Sequence, residues 1–518
     1  MRSFDRLVIS ASVGGIFFIS ALLILANGHL HEDAYILFQY SKKLAIGSAI
    51  SFDDTSGPTE GATDFLWMAI LAIMHRLGLD LGTAAALLNS VGLGLTAYVI
   101  LKLNNKVDWL SISCILLIIF SGGFSAALGG FSTLAYGGLF ALFVYTLLQR
   151  NFKAIITLAI VIPLFRPDGL LLVLGGIATS FFLASRDEKK KLLLYLLFPL
   201  LLGLGYFVWR LQYFGTILPL PLLVKVRTDK LLEGLGSNFA ALRWYLLLLI
   251  PAVVLLFQKG FKGFVWRDYL LAGLGPLLLL TALTFAHQSQ NVGYRFQYPI
   301  MLSFIFIYII SLNESSITNK IVMFAPVIGV LFGAKIIRYD VPYLTNNDYI
   351  NSFPQMLRKA NFSGEKIAIT EAGRFPFWYD TKEMIDLVGL NSRQVLLLGS
   401  LSVLNSTRPS LIFIHQAGRF DMSQFDSTKP YFITNASSIK IKSEYTGRNP
   451  VYIAPEAALK FATESGYVAI PVQYGRLDRN FMHVYFLSPQ SDIELFMTTL
   501  KQSWTNKLTY YESIESQK

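Results

Sequence analysis

The sequence LVISASVGGIFFISALLILA at positions 7–26, followed by NGHLHEDAYILFQY at positions 27–40, sets the architecture of the chain. About 20 consecutive apolar residues suffice to cross a bilayer, so the first stretch is predicted to be a membrane span. No small-residue cleavage site follows it, which favours a retained span over a signal peptide. Because positive residues collect on the cytoplasmic side, Arg2 and Arg6 place the N-terminus inside and the outer loop, residues 27–80, outside.

The composition of the whole chain is that of a membrane protein. Of its 518 residues, 53% are hydrophobic and only 15% are charged, and the mean hydropathy is +0.51. A soluble chain carries about 25% charged residues. The net charge of +11 is interpreted as the positive-inside bias, and nucleic-acid binding is excluded because no basic patch is interleaved with aromatic residues. The single cysteine, Cys114, excludes a disulfide within the chain.

Apolar runs recur up to residue 338 and predict a polytopic α-helical membrane protein with about 11 spans. The short apolar stretch 65–73 is instead predicted to lie in the membrane interface, because it ends at His75-Arg76. Every inner loop that this count creates is basic, and the odd number of spans leaves the C-terminal part outside. The spans are predicted at 7–26, 81–101, 108–127, 131–148, 152–165, 169–185, 192–210, 243–258, 268–286, 297–312 and 319–336.

The hydrophobicity pattern changes after residue 338, where short apolar runs alternate with turn signals. We therefore predict two domains, a membrane domain at 1–338 and an extracytoplasmic soluble α/β domain at 339–518. Residues 491–504 have the spacing of a helix. The short runs that indicate strands are 366–370, 410–415, 431–434, 451–454, 468–474 and 482–487.

Two adjacent acids, Glu32 and Asp33, follow the first span. Ionisable residues at the edge of a membrane are functional candidates. A carboxylate can accept the proton of an attacking hydroxyl group, or it can hold a divalent metal against a leaving phosphate. The alternatives are a helix N-cap and a structural ion pair. The sequence leaves open whether a divalent metal ion takes part, with Glu32 or Asp33 as its ligand if one does.

Basic residues also occur on the predicted outer face, where the positive-inside rule disfavours them. Arg166 stands at a span end, Lys225 follows the loop at 213–221, and Arg295 precedes another span. Arg and Lys stabilise phosphate charge, so these three residues are predicted to bind a phosphate group. The alternative is contact with lipid headgroups.

These segments resemble the GT-C superfamily, and within it the actinobacterial cell-wall arabinofuranosyltransferases. The first outer loop carries the most specific similarity, and the later pieces follow in the expected order. Asp64 stands where those relatives have Asn, and Gln39 where they commonly have Arg. The matching pieces are 32–40, 44–47, 59–67, 166–168, 213–219 with Lys225, 294–299, 371–376 and 385–390.

The resemblance implies an inverting glycosyltransferase that uses a polyprenyl-phosphate sugar donor. The sugar would be arabinofuranose or another pentose or hexose, and the acceptor a glycan or glycoconjugate on the outer face of a bacterial inner membrane. By the same resemblance, Asp33, or Glu32, is expected to be the acid at the reaction centre. The residues that would support the site or contact the acceptor are Tyr35, Glu60, Thr63 and Tyr294.

Other functions fit part of the pattern. A flippase for lipid-linked sugars usually holds its charges near the mid-membrane and shows paired halves, neither of which is visible here. An O-antigen polymerase or ligase would also use outer-face arginines, but on a lipid diphosphate. A membrane scaffold without catalysis leaves the acidic pair unexplained.

Overall fold

The structure is a computed structural model. It describes residues 3–61, 63–104, 106, 108–217, 219–221, 231–286, 288, 290–314, 324–345, 349–362, 366–381, 383–417, 420–421, 431–441, 450–473 and 481–515. The chain forms two compact units. The helical unit comprises Met1–Leu30, Thr63–Ile217 and Lys225–Thr345, and the sheet unit comprises His31–Ala62, Leu218–Val224 and Asn346–Lys518. Residues 31–62 of the outer loop thus group with the C-terminal part, while the predicted domain boundary at 338/339 stays a prediction.

The described part of the helical unit is almost entirely helical. Its 3₁₀ turns are Tyr245–Leu249 and Val292–Tyr294. Its α-helices are α1 (Ser3–Asn27), α3 (Phe65–Arg76), α4 (Leu81–Asn104), α5 (Trp109–Ile119), α6 (Gly122–Leu128), α7 (Thr133–Leu148), α8 (Phe152–Phe165), α9 (Gly169–Leu183), α10 (Arg186–Phe214), α11 (Leu231–Leu242), α12 (Ile250–Gly263), α13 (Trp266–Thr284), α14 (Tyr298–Glu314) and α15 (Ala325–Leu344).

The chain is an integral membrane protein. Among the described residues, five helical segments are long and apolar enough to cross a membrane: Ser3–Asn27, Leu81–Asn104, Arg186–Phe214, Tyr245–Gly263 and Val292–Glu314. The predicted span 108–127 is broken into α5 and α6, which meet at 49° and would make a sixth if counted together. The Ser121 hydroxyl accepts the Phe124 N–H at 3.3 Å and starts the new helix at this break. The count of about 11 spans stays a prediction.

Small residues allow the helices to approach closely. A Cβ at Gly14 of α1 would lie 2.6 Å from the Ser90 carbonyl oxygen of α4, and the Ser90 hydroxyl donates to the Gly14 carbonyl oxygen at 2.8 Å. Gly92 of α4 and Gly138 of α7 touch backbone to backbone in the same way. Helix contacts in membranes depend on such close packing, because burial of apolar surface gives little driving force there.

A six-stranded sheet organises the described part of the sheet unit. The strands of this part are β1 (Lys366–Ile369), β2 (Glu383–Asp386), β3 (Leu411–Ala417), β4 (Phe420–Asp421), β5 (Thr434–Asn435), β6 (Lys440–Ile441), β7 (Val468–Gln473) and β8 (Phe481–Leu487). The strand order in the six-stranded sheet is β2-β1-β3-β8-β7-β5; β2, β1 and β3 run parallel, and the remaining pairs are antiparallel. β4 and β6 form a separate two-stranded sheet.

Helices accompany this sheet and confirm the predicted α/β character of the C-terminal part. The predicted strand at 451–454 is wrong, because these residues lie in the helix α20 (Pro450–Glu464). Ala454, Ala458 and Phe461 are buried at helical spacing, and this longer pattern overrides the short apolar run. The helices are α2 (Glu32–Ala45), α16 (Phe353–Lys359), α17 (Arg374–Tyr379), α18 (Arg393–Leu398), α19 (Ser400–Thr407), α20 (Pro450–Glu464) and α21 (Ile493–Glu515), and the 3₁₀ turns are Tyr349–Asn351 and Ala436–Ser438.

The two faces of the sheet bury different side chains. One face carries the aliphatic core, with Ala368, Ile412 and Val484 among its fully buried residues. The other face is aromatic: the Phe413 ring lies 4.9 Å from the Tyr485 ring and 4.8 Å from the Phe375 ring. Side chains alternate between the faces of a strand, so His415 of β3 and His483 of β8 continue this aromatic face.

Candidate functional site

The acidic pair begins the helix α2 of the sheet unit. His31 is the N-cap residue, and its Nδ1 atom accepts the Asp33 N–H at 3.4 Å. Acidic residues in the first turn are favoured by the positive end of the helix dipole. Glu32 is buried, whereas Asp33 is half-buried. The two neighbouring acids therefore occupy different environments.

Glu32 is held in a buried ion pair with Arg374. One carboxylate oxygen accepts the Arg374 backbone N–H at 2.7 Å, and the other accepts the guanidinium Nε–H at 2.8 Å. Arg374 also donates to the Asn351 side-chain oxygen at 3.1 Å. A Cβ at Gly373 would overlap the backbone and carboxylate oxygens of Glu32, so this contact requires glycine. Both oxygens of Glu32 thus position the first turn of α17.

A second carboxylate, Glu371, lies beside this pair. Burial and the Glu371 charge raise the pKa of Glu32, and Arg374 opposes that rise. Burial would also raise the pKa of Glu371, but His415, His483 and Arg374 outweigh it, so the pKa of Glu371 is lowered. Close carboxylates separate in pKa in this way because one charge disfavours the other.

Tyr35 and Glu60 are buried in the sheet unit. The Tyr35 ring lies 5.1 Å from the Phe377 ring and packs α2 against α17. Glu60 is 4% exposed, and its carbonyl oxygen accepts the Leu220 N–H at 3.3 Å. The next residue, Gly61, donates its N–H to the Tyr40 hydroxyl oxygen at 2.9 Å. These contacts fix the loop whose sequence carries the family resemblance.

Arg166 is held in the helical unit between α8 and α9. Its guanidinium donates to both carboxylate oxygens of Asp168, at 3.2 and 2.7 Å, and lies 4.7 Å from the centre of the Tyr136 ring. Asp64 is close enough to interact electrostatically with Arg166, and it accepts the Ser132 hydroxyl at 2.7 Å. Thr63 donates to Asp64 at 3.1 Å. Two carboxylates therefore already offset part of the Arg166 charge.

Arg295 approaches the same aromatic ring as Arg166. The Arg295 guanidinium lies 5.1 Å from the centre of the Phe296 ring, and that of Arg166 lies 5.6 Å from it. The guanidinium of Arg295 also stacks on Phe131 at 3.7 Å from the ring centre. The structure thus brings these two predicted phosphate ligands together. The third, Lys225, lies outside the described residues.

The loop that carries Arg295 has an unusual backbone. Gly293 and Tyr294 have φ angles of 58° and 54°. Left-handed backbone costs a residue with a side chain about 1–2 kcal/mol. A Cβ at Gly293 would overlap the Gly122 carbonyl oxygen, so this close contact between the loop and α6 needs glycine.

Carboxamide side chains hold this loop in place. Gln297 donates to Asn238 at 2.8 Å and to Gln288 at 2.6 Å. Asn291 donates to Gln297 at 2.6 Å and accepts the Phe296 N–H at 3.1 Å. A satisfied network of this kind rigidifies the segment that it connects.

Several residues of these sites were missed by sequence reasoning. Arg374, which binds Glu32, was quoted only as part of a matching segment, and Asp64 was noted only as a departure from the family. An ion pair between two residues that are far apart along the chain cannot be recognised from a single sequence. The available indication for Arg374 was its position after Gly373, shortly after a predicted strand, where functional residues are often found.

Glu32 is poorly suited to bind a metal ion, since both of its carboxylate oxygens accept hydrogen bonds from Arg374. Another group in the described part of the sheet unit suits a metal better. Glu371, His415 and His483 each place one ligand atom within 4.8 Å of the others.

The chain is similar to crystal structures of ArnT from Cupriavidus metallidurans. The structure bound to undecaprenyl phosphate aligns with a TM-score of 0.56 and 11% identity, over 83% of this chain and 96% of ArnT. The apo structure aligns with a TM-score of 0.52 and 11% identity, over 78% and 92%. No protein-family model and no curated protein sequence matches the chain. The likeness confirms the GT-C fold that the sequence resemblance predicted.

Proposed function

We propose that the chain is a membrane glycosyltransferase that takes a sugar from a polyprenyl-phosphate carrier. The observation that carries this proposal is the fold shared over 83% of the chain with ArnT bound to undecaprenyl phosphate. The reaction takes place on the outer face and inverts the anomeric carbon. The acceptor is a glycan or glycoconjugate, and the sugar is arabinofuranose or another pentose or hexose.

Asp33 is the general base of the proposed reaction. It takes the proton of the acceptor hydroxyl while that oxygen attacks the anomeric carbon, and the bond to the carrier phosphate breaks. A single displacement of this kind inverts the sugar and releases polyprenyl phosphate. The environments of the two acids support this assignment, because Glu32 is buried against Arg374 whereas Asp33 is half-buried. Glu32 positions Asp33 through the first turn of α2.

Arg295 and Arg166 bind the donor phosphate. Both guanidinium groups lie near the Phe296 ring, at 5.1 and 5.6 Å from its centre, so one phosphate group can contact both. Lys225 keeps its proposed role as a third ligand. Tyr294, whose strained backbone precedes Arg295, and Thr63, which orients Asp64, support the donor site.

Glu60 and Tyr35 stabilise the first outer loop within the sheet unit. Both are buried; the Tyr35 ring packs on the Phe377 ring, and the Glu60 carbonyl oxygen accepts the Leu220 N–H. Their replacement should therefore affect folding of the loop as well as turnover.

A donor assay with purified protein tests this proposal. The protein in lipid nanodiscs is supplied with a polyprenyl-phosphate sugar, labelled in the sugar, and with cell-envelope glycan as acceptor. The expected result is transfer of label to glycan with release of free polyprenyl phosphate. Movement of intact donor between leaflets without release would indicate a flippase. Preference for a lipid diphosphate donor would indicate a polymerase or ligase, and either outcome would reject the proposal.

A further inference from the structure

Two histidines on neighbouring strands and a glutamate just after a third strand meet at one end of the aromatic sheet face. His415 of β3 is the direct cross-strand partner of His483 of β8. β1 pairs in parallel with the other edge of β3, and Ile369 of β1 lies opposite Phe413. Glu371 follows the end of β1 by two residues, and its Oε2 atom lies 3.4 Å from His415 Nδ1. Cross-strand neighbours lie about 5 Å apart, so β3 and β8 bring the two imidazoles together, and the segment after β1 places the carboxylate beside them.

The three ligand atoms form a compact triangle. His415 Nδ1 lies 3.0 Å from His483 Nε2, and Glu371 Oε2 lies 3.4 Å from His415 Nδ1 and 3.6 Å from His483 Nε2. Ligands bound to zinc at about 2.0–2.1 Å in a tetrahedron are about 3.3 Å apart. The observed distances scatter around this edge length, so one metal ion can reach all three atoms without rearrangement of the strands.

The surroundings of the triangle orient its ligands. The other ring nitrogen of His483, Nδ1, lies 2.6 Å from the Tyr349 hydroxyl, which lies 2.9 Å from the Tyr485 hydroxyl. A hydrogen bond at the distal nitrogen fixes the tautomer of a metal-binding histidine and is typical of such sites. Arg374 lies near Glu371, but its charge is paired with Glu32 at 2.8 Å.

We propose that Glu371, His415 and His483 bind one zinc ion. A set of two imidazoles and one carboxylate favours zinc over magnesium and calcium, because those two ions prefer oxygen ligands. The His483 side chain is fully buried, whereas that of His415 is 29% exposed. Solvent therefore reaches the site at the His415 side, and the fourth coordination position is exchangeable. Three protein ligands with one open position are the arrangement of catalytic zinc.

Metal titration of the full-length protein tests this site independently of the glycosyltransferase proposal. The protein carries no histidine tag, is stripped with a chelator in detergent, and is titrated with zinc; bound metal is measured by mass spectrometry. Wild type should bind one zinc per chain. Glu371→Gln and His415→Ala should weaken binding at least 100-fold, and Tyr349→Phe, a positioning variant, about 10- to 100-fold. His75→Ala and Glu494→Gln are matched controls that should bind as wild type.

Cobalt provides a spectroscopic check that does not depend on the variants. Cobalt-loaded wild type should show the intense visible bands of a tetrahedral ion, and added azide should change them by entering the fourth position. A protein that binds no zinc after stripping would overturn the site. Equal affinity in wild type, Glu371→Gln and His415→Ala would also overturn it, and a cobalt spectrum insensitive to azide would reject the open position.

Discussion

The two adjacent acids at the start of α2, Glu32 and Asp33, lie in different environments. Glu32 is an anchor, because its oxygens hold the backbone and the guanidinium of Arg374. Asp33 shares the same turn but stays half-buried. The sequence predicted a functional role for this pair and left a helix N-cap or a structural ion pair as alternatives. It could not show which acid forms the ion pair, since the partner Arg374 is 342 positions away from Glu32.

Loss of Glu32 should therefore destabilise the protein. Removing one partner of a buried ion pair costs about 3–5 kcal/mol, because the other charge stays buried. Glu32→Ala should lower the unfolding temperature in detergent strongly, whereas Glu494→Ala, at an exposed site, should change it little.

The double variant Glu32→Ala with Arg374→Met measures the coupling of the pair. It should be less destabilised than the sum of the two single variants, because no charge is left without its partner. Strict additivity, or a Glu32→Ala protein as stable as wild type, would contradict the assignment of Glu32 as an anchor.

Helix α2 is fixed on α17 by a cluster of charges. Asp380 lies 2.8 Å from the Lys42 ammonium and 3.2 Å from that of Lys43. Burial raises the pKa of Asp380, but hydrogen bonds and charges from Lys42 and Lys43 outweigh burial, so the pKa is lowered below its ordinary value of 3.8. The cluster therefore stabilises the fold most when Asp380 is ionised.

This cluster predicts a pH dependence of stability. A depressed pKa in the folded state gives stabilisation that is complete above the ordinary pKa and is lost as pH falls through the folded-state value. Asp380→Asn should unfold at lower temperature than wild type at pH 7, and the difference should shrink below about pH 4. Thermal unfolding measured across pH checks this, and a difference that is constant with pH would argue against the ion cluster.

The contact between α1 and α4 depends on one face of α1. A Cβ at Gly14 would lie 2.6 Å from the Ser90 carbonyl oxygen, whereas at the next residue, Gly15, nothing lies within 4 Å among the described residues. Gly14→Leu should therefore destabilise the helical unit, and Gly15→Leu should be tolerated. Yield and unfolding temperature of the two purified variants compare them directly, and equal behaviour would refute the close packing.

The sequence predicted most elements but not their breaks. Apolar runs of about 20 residues gave α1, α4 and α10, because length and hydrophobicity alone decide such helices. The bend between α5 and α6 depends on the Ser121 cap, and the predicted span 108–127 ran through the turn signal Ser121-Gly122-Gly123. The strand β2 has only four residues and two charged ends, so periodicity gave no signal for it.

At the scale of the whole molecule, the predicted topology places Asp33 and Arg295 on the same side of the membrane. In a Cys114→Ser background, single cysteines at Ile46 and Gln290 probe the segments that carry them, and one at Lys190 probes an inner loop. A membrane-impermeant thiol reagent should label the first two in intact spheroplasts and the third only after permeabilisation. Labelling of positions 46 and 290 from opposite sides would contradict the topology.

The fold of the whole chain could be predicted only by combining periodicity with family resemblance. Composition and charged loops predicted a membrane protein with a C-terminal α/β part, and the motif at 32–67 predicted the GT-C fold that the likeness to ArnT confirms. The grouping of residues 31–62 with the C-terminal sheet was not predictable. It depends on long-range contacts such as the one between Glu32 and Arg374.

Turnover by Asp33→Asn is the most direct test of the proposed chemistry. A general base contributes about 100- to 10,000-fold to rate. The variant should retain the wild-type unfolding temperature and release polyprenyl phosphate from a labelled polyprenyl-phosphate sugar at least 100 times more slowly than wild type. An Asp33→Asn protein that transfers the sugar at the wild-type rate would contradict the central claim.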